Sequence, residues 1–539
     1  MRRAFAILVA GILLNPAMIG AVPHNKPYGS TATPIKHLVI IFQENVSFDH
    51  YFGTYPNAMN LKGENPFHAS DDTPGVNGFS PSLLNSNPNL NPANGTAATN
   101  PFRLSPAQAA TNDQDHNYTP EQEAYDGGLM DLFPEYTGTA GPPPGTPPIA
   151  DTKGLVMGYY DGNTVTALWN YAQHFAMSDN SFDTNFGPSS PGAINVISGQ
   201  TNGVVDNTNG SGAIIADGNG GYTDNGDADP AGDVCSTTTG ETFSMSGQNI
   251  GDLLNEKGIS WGFFEGGFNL SLVNANGSTG CARSTTSTIT LSKKADYIPH
   301  HQPFQYYAST ANPLHTRPAS IAEIGHDGPA NHQYDTADFF TAVRKGNFPA
   351  VSYLKAPGYQ DGHAGYSDPI DEQNFIVTVI NFLEKTPEWQ STAVIIAYDD
   401  SDGWYDHVTS PIVNQSATAA DENAAGLPMC GTAASATTLA LAGVTAAHAQ
   451  GRCGYGPRQP FLVISPYAKA NFVDHTITDQ SSVVRFIEDN WLGGERIPGS
   501  FDAIAGSILN MFDFDRCRED GTLVLNPSTG EPVGPSFKF

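Results

Sequence analysis

Two short apolar runs, more than three hundred residues apart, constrain this chain more than any other feature. The first is His37-Leu38-Val39-Ile40-Ile41-Phe42, followed by Gln43-Glu44-Asn45. The second is Thr392-Ala393-Val394-Ile395-Ile396-Ala397-Tyr398, followed by Asp399-Asp400 and Ser401-Asp402-Gly403. Continuous β-branched and apolar runs of this length suit strands buried on both faces, as in a parallel sheet flanked by helices. Sites in such sheets form beyond the carboxyl ends of the strands. Two strands that end in hard oxygen donors therefore predict one shared metal site.

Further strand and helix signals alternate along the chain. Strands are expected at Ser260–Phe264, Ala350–Leu354 and Phe461–Ile464. Helices are expected from Pro120, over Asn163–Phe175, Asn249–Lys257, Ala337–Val343, Phe375–Leu383 and Ser482–Trp491. This alternation predicts an α/β fold with a largely parallel sheet. Asn-, Gly- and Ala/Thr-rich tracts at about 56–110, 200–240 and 409–455 read as insertions, the middle one as a simple surface excursion.

Met1-Arg2-Arg3 precedes an almost unbroken apolar stretch from Ala4 to Leu14, and small residues lead on to Ala21. This is the pattern of a secretory leader, too short to span a bilayer. Cleavage after Ala21 would release a secreted or periplasmic protein of residues 22–539 with no stable membrane anchor. A net charge of −30 argues against nucleic acid or anionic membrane as a standing partner. A phosphate substrate is compatible with that charge, since a bound metal can reverse the field inside one pocket. An exported chain permits disulfides. Order along the chain favours Cys235–Cys281 and Cys430–Cys453, with Cys517 left over.

Glu44, Asn45, Asp399 and Asp400 offer carboxylate and amide oxygens that suit a divalent metal. Adjacent carboxylates are costly to hold together without a cation or proton; an Asp-Asp pair alone is more often a solvated turn, but its place after a buried strand, matched by Glu44-Asn45, favours the metal. In Phe186-Gly187-Pro188-Ser189-Ser190-Pro191-Gly192, Ser190 fits a helix N-cap and Pro191 the first helical position. Ser189 would then lie just outside a helix N-terminus, where amides favour phosphate and an alkoxide. Histidines in Asp115-His116-Asn117, His300-His301 and Asp361-Gly362-His363 could bind phosphate oxygens or protonate a leaving alkoxide. His37 is expected to be structural, and His407 fits either role.

The block from Lys36 to Gly53, which contains Gln43-Glu44-Asn45-Val46-Ser47-Phe48-Asp49, resembles the opening block of the bacterial phosphoesterase family. Matching blocks follow in order at Asp115–Tyr118, Phe186–Gly192, Asp361–His363, Ile396–His407 and Tyr455–Tyr467. That family includes acid phosphatases and phospholipases C and is related to the alkaline phosphatase superfamily. The resemblance implies a single domain over 22–539 with a three-layer α/β/α core. It implies Glu44, Asn45, Asp399 and Asp400 as ligands of one divalent metal ion and Ser189 as nucleophile. His116, His300, His301 and His363 match histidines that line the phosphate pocket. Family phospholipases C commonly carry Thr in this turn, whereas this chain has Ser189 followed by Pro191-Gly192, which is more similar to the acid phosphatase branch. The chain also stops at Phe539, without the extra β domains of phosphocholine-specific members. The expected activity is hydrolysis of phosphoric esters through a phosphoserine, with phospholipase C activity as the alternative. A non-enzymatic exported binding protein would leave the ordered blocks unexplained. A sulfatase would need a Cys-x-Pro-x-Arg site, which the chain lacks.

Overall fold

The computed structural model describes residues 31–142, 148–206, 212–414, 416–422, 449–518 and 521–534. The leader segment 1–21 and Cys430 lie outside these residues. Nine strands build the main sheet: β1 His37–Gln43, β2 Ala176–Phe182, β3 Trp261–Glu265, β4 Gln333–Asp335 and β5 Val351–Lys355. They are completed by β6 Thr392–Tyr398, β7 Arg458–Ile464, β8 Phe472–Asp474 and β9 Thr478–Asp479. Their spatial order is β4-β3-β5-β1-β6-β7-β2-β8, and β9 also pairs with β2. β7 runs antiparallel to both neighbours, while the other pairings are parallel.

The principal helices are α1 Tyr118–Tyr125, α2 Thr166–His174, α3 Ser189–Ser198, α4 Ile250–Glu256, α5 Thr336–Arg344, α6 Pro369–Leu383 and α7 Ser481–Trp491. They fall into two packed groups. α3 packs on α4 and α7, whereas α6 packs on α2 and meets α5 through Phe340 and Phe382. The sheet between them gives the three-layer α/β/α arrangement that the sequence predicts. Leu38 to Phe42 and Ala393 to Tyr398 are buried, as strands covered on both faces must be. Each such large side chain contributes about 1.5–3 kcal/mol on leaving water. Alternation cannot set the register of a strand that is apolar on both faces. The polar ends His37 and Gln43 bracket the run instead, and they pair with Thr392 and Tyr398.

Two departures from the sequence reading stand out. The tract at 200–240 is not a simple excursion: it carries most of a five-stranded sheet formed by Asn202–Asp206, Ile214–Ala216, Tyr222–Asp224, Asp229–Pro230 and Thr242–Met245. Strands of two to five residues between Gly- and Asn-rich turns leave too little periodicity to be seen. Gly218 and Gly220, at φ +79° and +94°, make turns that side chains resist. The segment at 56–110 is largely irregular as expected, with a short helix at Pro81–Asn85 and several 3-10 turns. Cys235 is bonded to Cys281, and Cys517 is free and exposed. No helix among the described residues is long and apolar enough to cross a membrane.

Candidate active site

Parallel pairing of Gln43 with Tyr398 makes Glu44-Asn45 and Asp399-Asp400 leave the sheet side by side. Asn45 sits at φ +49°, a left-handed conformation that asparagine tolerates better than most residues. Its backbone amide donates to Asp399 Oδ1 at 3.3 Å, and Val46 N donates to the Asp400 carbonyl at 3.0 Å. Beyond the second strand, Asp402 N donates to Asp400 Oδ1 at 2.7 Å. The two loops are thereby tied to each other before any ion or substrate is considered.

Ser189 arrives from the third direction. β2 is parallel to β6 across the antiparallel β7, so its carboxyl end faces the same edge. The helix that follows begins at Ser189 itself, with Pro188 as its cap and Pro191 in the third position. The expected N-cap role of Ser190 is therefore corrected. First-turn amides have no partner within a helix, so proline at the third position forfeits nothing, and Ser190 N donates to Asp227 Oδ1 at 2.9 Å instead. Gly187 turns the chain at φ +124°, and its amide donates to Glu121 Oε2 at 3.0 Å. Gly192 is needed for another reason: a Cβ there would lie 1.9 Å from the Asp399 carbonyl oxygen. The helix carrying Ser189 thus rests directly on the loop carrying Asp399 and Asp400.

The Ser189 hydroxyl lies 2.9 Å from Asp400 Oδ2, 3.1 Å from Glu44 Oε2 and 3.5 Å from Asn45 Oδ1. Four oxygens from three segments converge, and all of these residues are buried. Asp399 is turned differently. Its Oδ1 accepts the amides of Asn45 and Asp400, and its Oδ2 is 3.2 Å from Lys355 Nζ at the end of β5. Lys355 Nζ also ion-pairs with Glu44 Oε1.

The histidines surround this cluster at two sides. His116 Nδ1 is 2.9 Å from the Gln114 carbonyl and 3.3 Å from Asp402 Oδ1, and its Nε2 is 3.5 Å from Asn45 Nδ2. The His363 ring is 5.9 Å from that of His116. On the other side, His301 Nδ1 lies 3.1 Å from Glu44 Oε1, and its ring is 4.6 Å from that of His300. His300 Nδ1 is 3.3 Å from Asp229 Oδ1, on the small sheet. All five catalytic candidates therefore converge on the ends of β1 and β6.

Charge is unevenly settled here. Burial pushes Asp399 and Asp361 well above the ordinary carboxylate range, and Asp400 up to about 7 despite the pull of His116. Burial also acts on Glu44, but the charges of His301 and Lys355 outweigh it and hold Glu44 well below its usual value. Burial disfavours the His116 cation, yet Asp400, Asp402 and Asp113 together raise it well above the usual value. Burial lowers His363. His300 is raised, because its bond to Asp229 and the neighbouring acids overcome burial.

Glu44, Asp399 and Asp400 can hold a metal ion together, each offering one oxygen within 4.8 Å of the others. The donor set fits a divalent cation well, since it is all oxygen and rich in negative charge. Sequence reasoning missed four supports of this centre. Lys355 lies one residue past the expected strand, and a lysine closing a buried apolar run was its signal. Asp402 orients His116, Asp227 caps the Ser189 helix, and buried Glu121 braces Gly187 and Ser401. His37 is structural, stacked on Phe348 with Nδ1 3.0 Å from the Pro349 carbonyl. His407 joins a separate cluster with Asp49, Asp406 and Arg458.

Comparison with known proteins gives the chain its relatives. The model of the phosphoesterase family matches residues 35–492. A non-hemolytic phospholipase C of Burkholderia pseudomallei is 25% identical over 99% of this chain and 68% of its own length. Phospholipase C A of Mycobacterium tuberculosis is 23% identical over 91% of this chain and 80% of its own. A non-hemolytic phospholipase C of Pseudomonas aeruginosa is 32% identical, over 32% of this chain and 24% of its own length. The matched region takes in both metal-capable strand ends, the Ser189 turn and every candidate histidine, and the chain belongs to the phosphoesterase family, whose members are hydrolases of phosphoric ester bonds.

Proposed function

We propose that this chain is an exported, metal-dependent phosphoric ester hydrolase of the acid phosphatase type, acting through a phosphoserine at Ser189. One observation carries the reading: Ser189 Oγ stands within 2.9–3.5 Å of oxygens from Glu44, Asn45 and Asp400 at a helix N-terminus. Glu44, Asn45, Asp399 and Asp400 would hold one divalent ion. Bound there, such an ion lowers the pKa of a coordinated hydroxyl and polarises a phosphoryl oxygen.

The chain's own groups supply the rest. Ser189 Oγ, its proton released to solvent as the hydroxyl ionises, attacks phosphorus in line, forming an O–P bond as the bond to the leaving alkoxide breaks. His116, whose neighbouring carboxylates keep it cationic, donates the proton to that alkoxide. His363, lowered by burial, is the weaker candidate for that proton. His300 and His301 face the phosphate from the side of the small sheet and steady charge on its equatorial oxygens. Water then cleaves the phosphoserine. The remaining parts of the reading are a single domain over 22–539 and a leader removed after Ala21, which N-terminal sequencing of the exported protein checks.

The similarity to proteins named phospholipase C supports a second reading, in which the ester is a phospholipid. Hydrolysis of a chromogenic phosphomonoester and of phosphatidylcholine vesicles separates the two, using wild type and Ser189→Ala with and without chelator. Acid-quenched wild type should carry phosphate on Ser189. Full activity of Ser189→Ala on either substrate removes Ser189 from its role.

A further inference from the structure

Two acid sets share Glu44. Glu44 with Asp399 and Asp400 forms one, and Glu44 with His301 and Asp361 forms the other. Two ligand sets joined through a common carboxylate are what a two-metal site requires, with ions about 3.5–4 Å apart. Glu44 divides its oxygens accordingly. Oε2 faces Ser189 at 3.1 Å, while Oε1 faces His301 at 3.1 Å and ion-pairs with Lys355.

Lys355 is the feature that breaks the symmetry. It is fully buried, at the carboxyl end of the strand next to β1. Its ammonium touches Glu44 Oε1 and Asp399 Oδ2 and lies 4.9 Å over the Phe42 ring. A buried lysine survives only where carboxylates balance it, and here Glu44, Asp399 and Asp361 do so. An ammonium is a compact cation with three donors, and unlike a metal ion it cannot be lost to solvent or exchanged.

We propose that the Lys355 ammonium is the permanent second cation of this centre, so that the enzyme takes one metal ion, on the Ser189 side of Glu44. Lys355 is then a positioning residue. It keeps Glu44 Oε1 and Asp399 Oδ2 turned away and leaves Glu44 Oε2, Asn45 Oδ1, Asp400 Oδ2 and the other oxygen of Asp399 for the single ion. The inference rests on the metal reading of Glu44, Asn45, Asp399 and Asp400 given above.

The test counts metal rather than turnover. Purified wild type is stripped with chelator, dialysed against excess Mn2+, and measured by elemental analysis and electron paramagnetic resonance. One equivalent with a mononuclear spectrum is expected. Two equivalents with exchange-coupled spectra would overturn the proposal while leaving the metal reading intact, and no bound metal would overturn the metal reading itself. Lys355→Met is expected to bind two equivalents, and Lys355→Arg one. A folded Lys355→Met that still binds one equivalent refutes the role of Lys355. Should Lys355→Met unfold without metal, it is refolded in excess Mn2+. Recovery with two equivalents is then the expected result, and no recovery at any concentration counts against the proposal.

Discussion

Two buried acid clusters lie at the ends of the same strands, and they handle their charge in opposite ways. In the Asp49–Asp406 cluster every carboxylate oxygen has a donor. Asp49 accepts from Arg458 and from both the amide and the ring of His407, while Asp406 accepts from Val408 N, Asp49 N and Arg458. Arg458 is itself saturated by the carbonyls of Asn77 and Asp179 and stacks 4.3 Å from the Phe48 ring. In the Ser189 cluster the hydrogen bonds to Glu44 Oε2, Asn45 Oδ1 and Asp400 Oδ2 come, among the described residues, from one hydroxyl that has one proton. Both clusters have the composition of a metal site. Donor count separates them: the first is complete and structural, and the second is short of positive charge, which is the condition for binding an ion or a reacting group.

The sharpest way to break this comparison is Asp400→Asn. It should lower kcat by about a thousandfold, a loss of about 4 kcal/mol in transition-state stabilisation, while circular dichroism stays that of the wild type. The complementary change is Arg458→Met, which leaves the buried Asp49 and Asp406 without their guanidinium partner. It should cost about 3–5 kcal/mol in denaturant unfolding and leave metal content unchanged. Equal metal loss in both variants would erase the distinction. Chelation should act on the Ser189 cluster alone. Wild type saturated at a hundred times the dissociation constant should lose about 2.7 kcal/mol of stability when stripped, and Asp400→Asn should lose far less.

The smallest effect concerns pH and lies behind the centre. Glu372 is buried beneath the sheet end, accepts from Tyr51 and Tyr398, and is pushed by burial up to about 8. Its folded value exceeds its unfolded value of about 4.3, so the folded state binds the proton more tightly. The stability this confers is full below about pH 4.3 and is lost as pH rises toward 8, at no more than about 1.4 kcal/mol per unit. Thermal unfolding should therefore occur at lower temperature at pH 8 than at pH 5.5. Glu372→Gln should flatten that slope, and an unchanged slope would remove Glu372 as its source.

The central architecture was readable because β1 and β6 are continuous apolar runs with polar ends, a signal that burial on both faces imposes directly. Ser189 was singled out by the family resemblance, and its place in the helix was misjudged, because Asp227 replaces the cap that Ser190 was expected to supply. Lys355 had a signal in the apolar run that it closes, whereas Asp227 and Asp402 were missed for a common reason. Each acts through a partner distant in sequence, and spacing along the chain carries no trace of such pairings. The small sheet was missed because its strands are too short to show a period, yet it is what delivers Asp227 and Asp229.

The pairing of His37 with Thr392 at the heart of the sheet has a consequence in time. Half of the acidic centre is made early in synthesis, and the other half only after some three hundred and fifty further residues. Strand closure over so long a separation is slow, because loop entropy is lost before the contacts form. A nascent chain therefore carries Glu44, Asn45 and Ser189 before Asp399 and Asp400 exist to join them. On the proposed mechanism, hydrolytic power would wait for β6 to pair with β1.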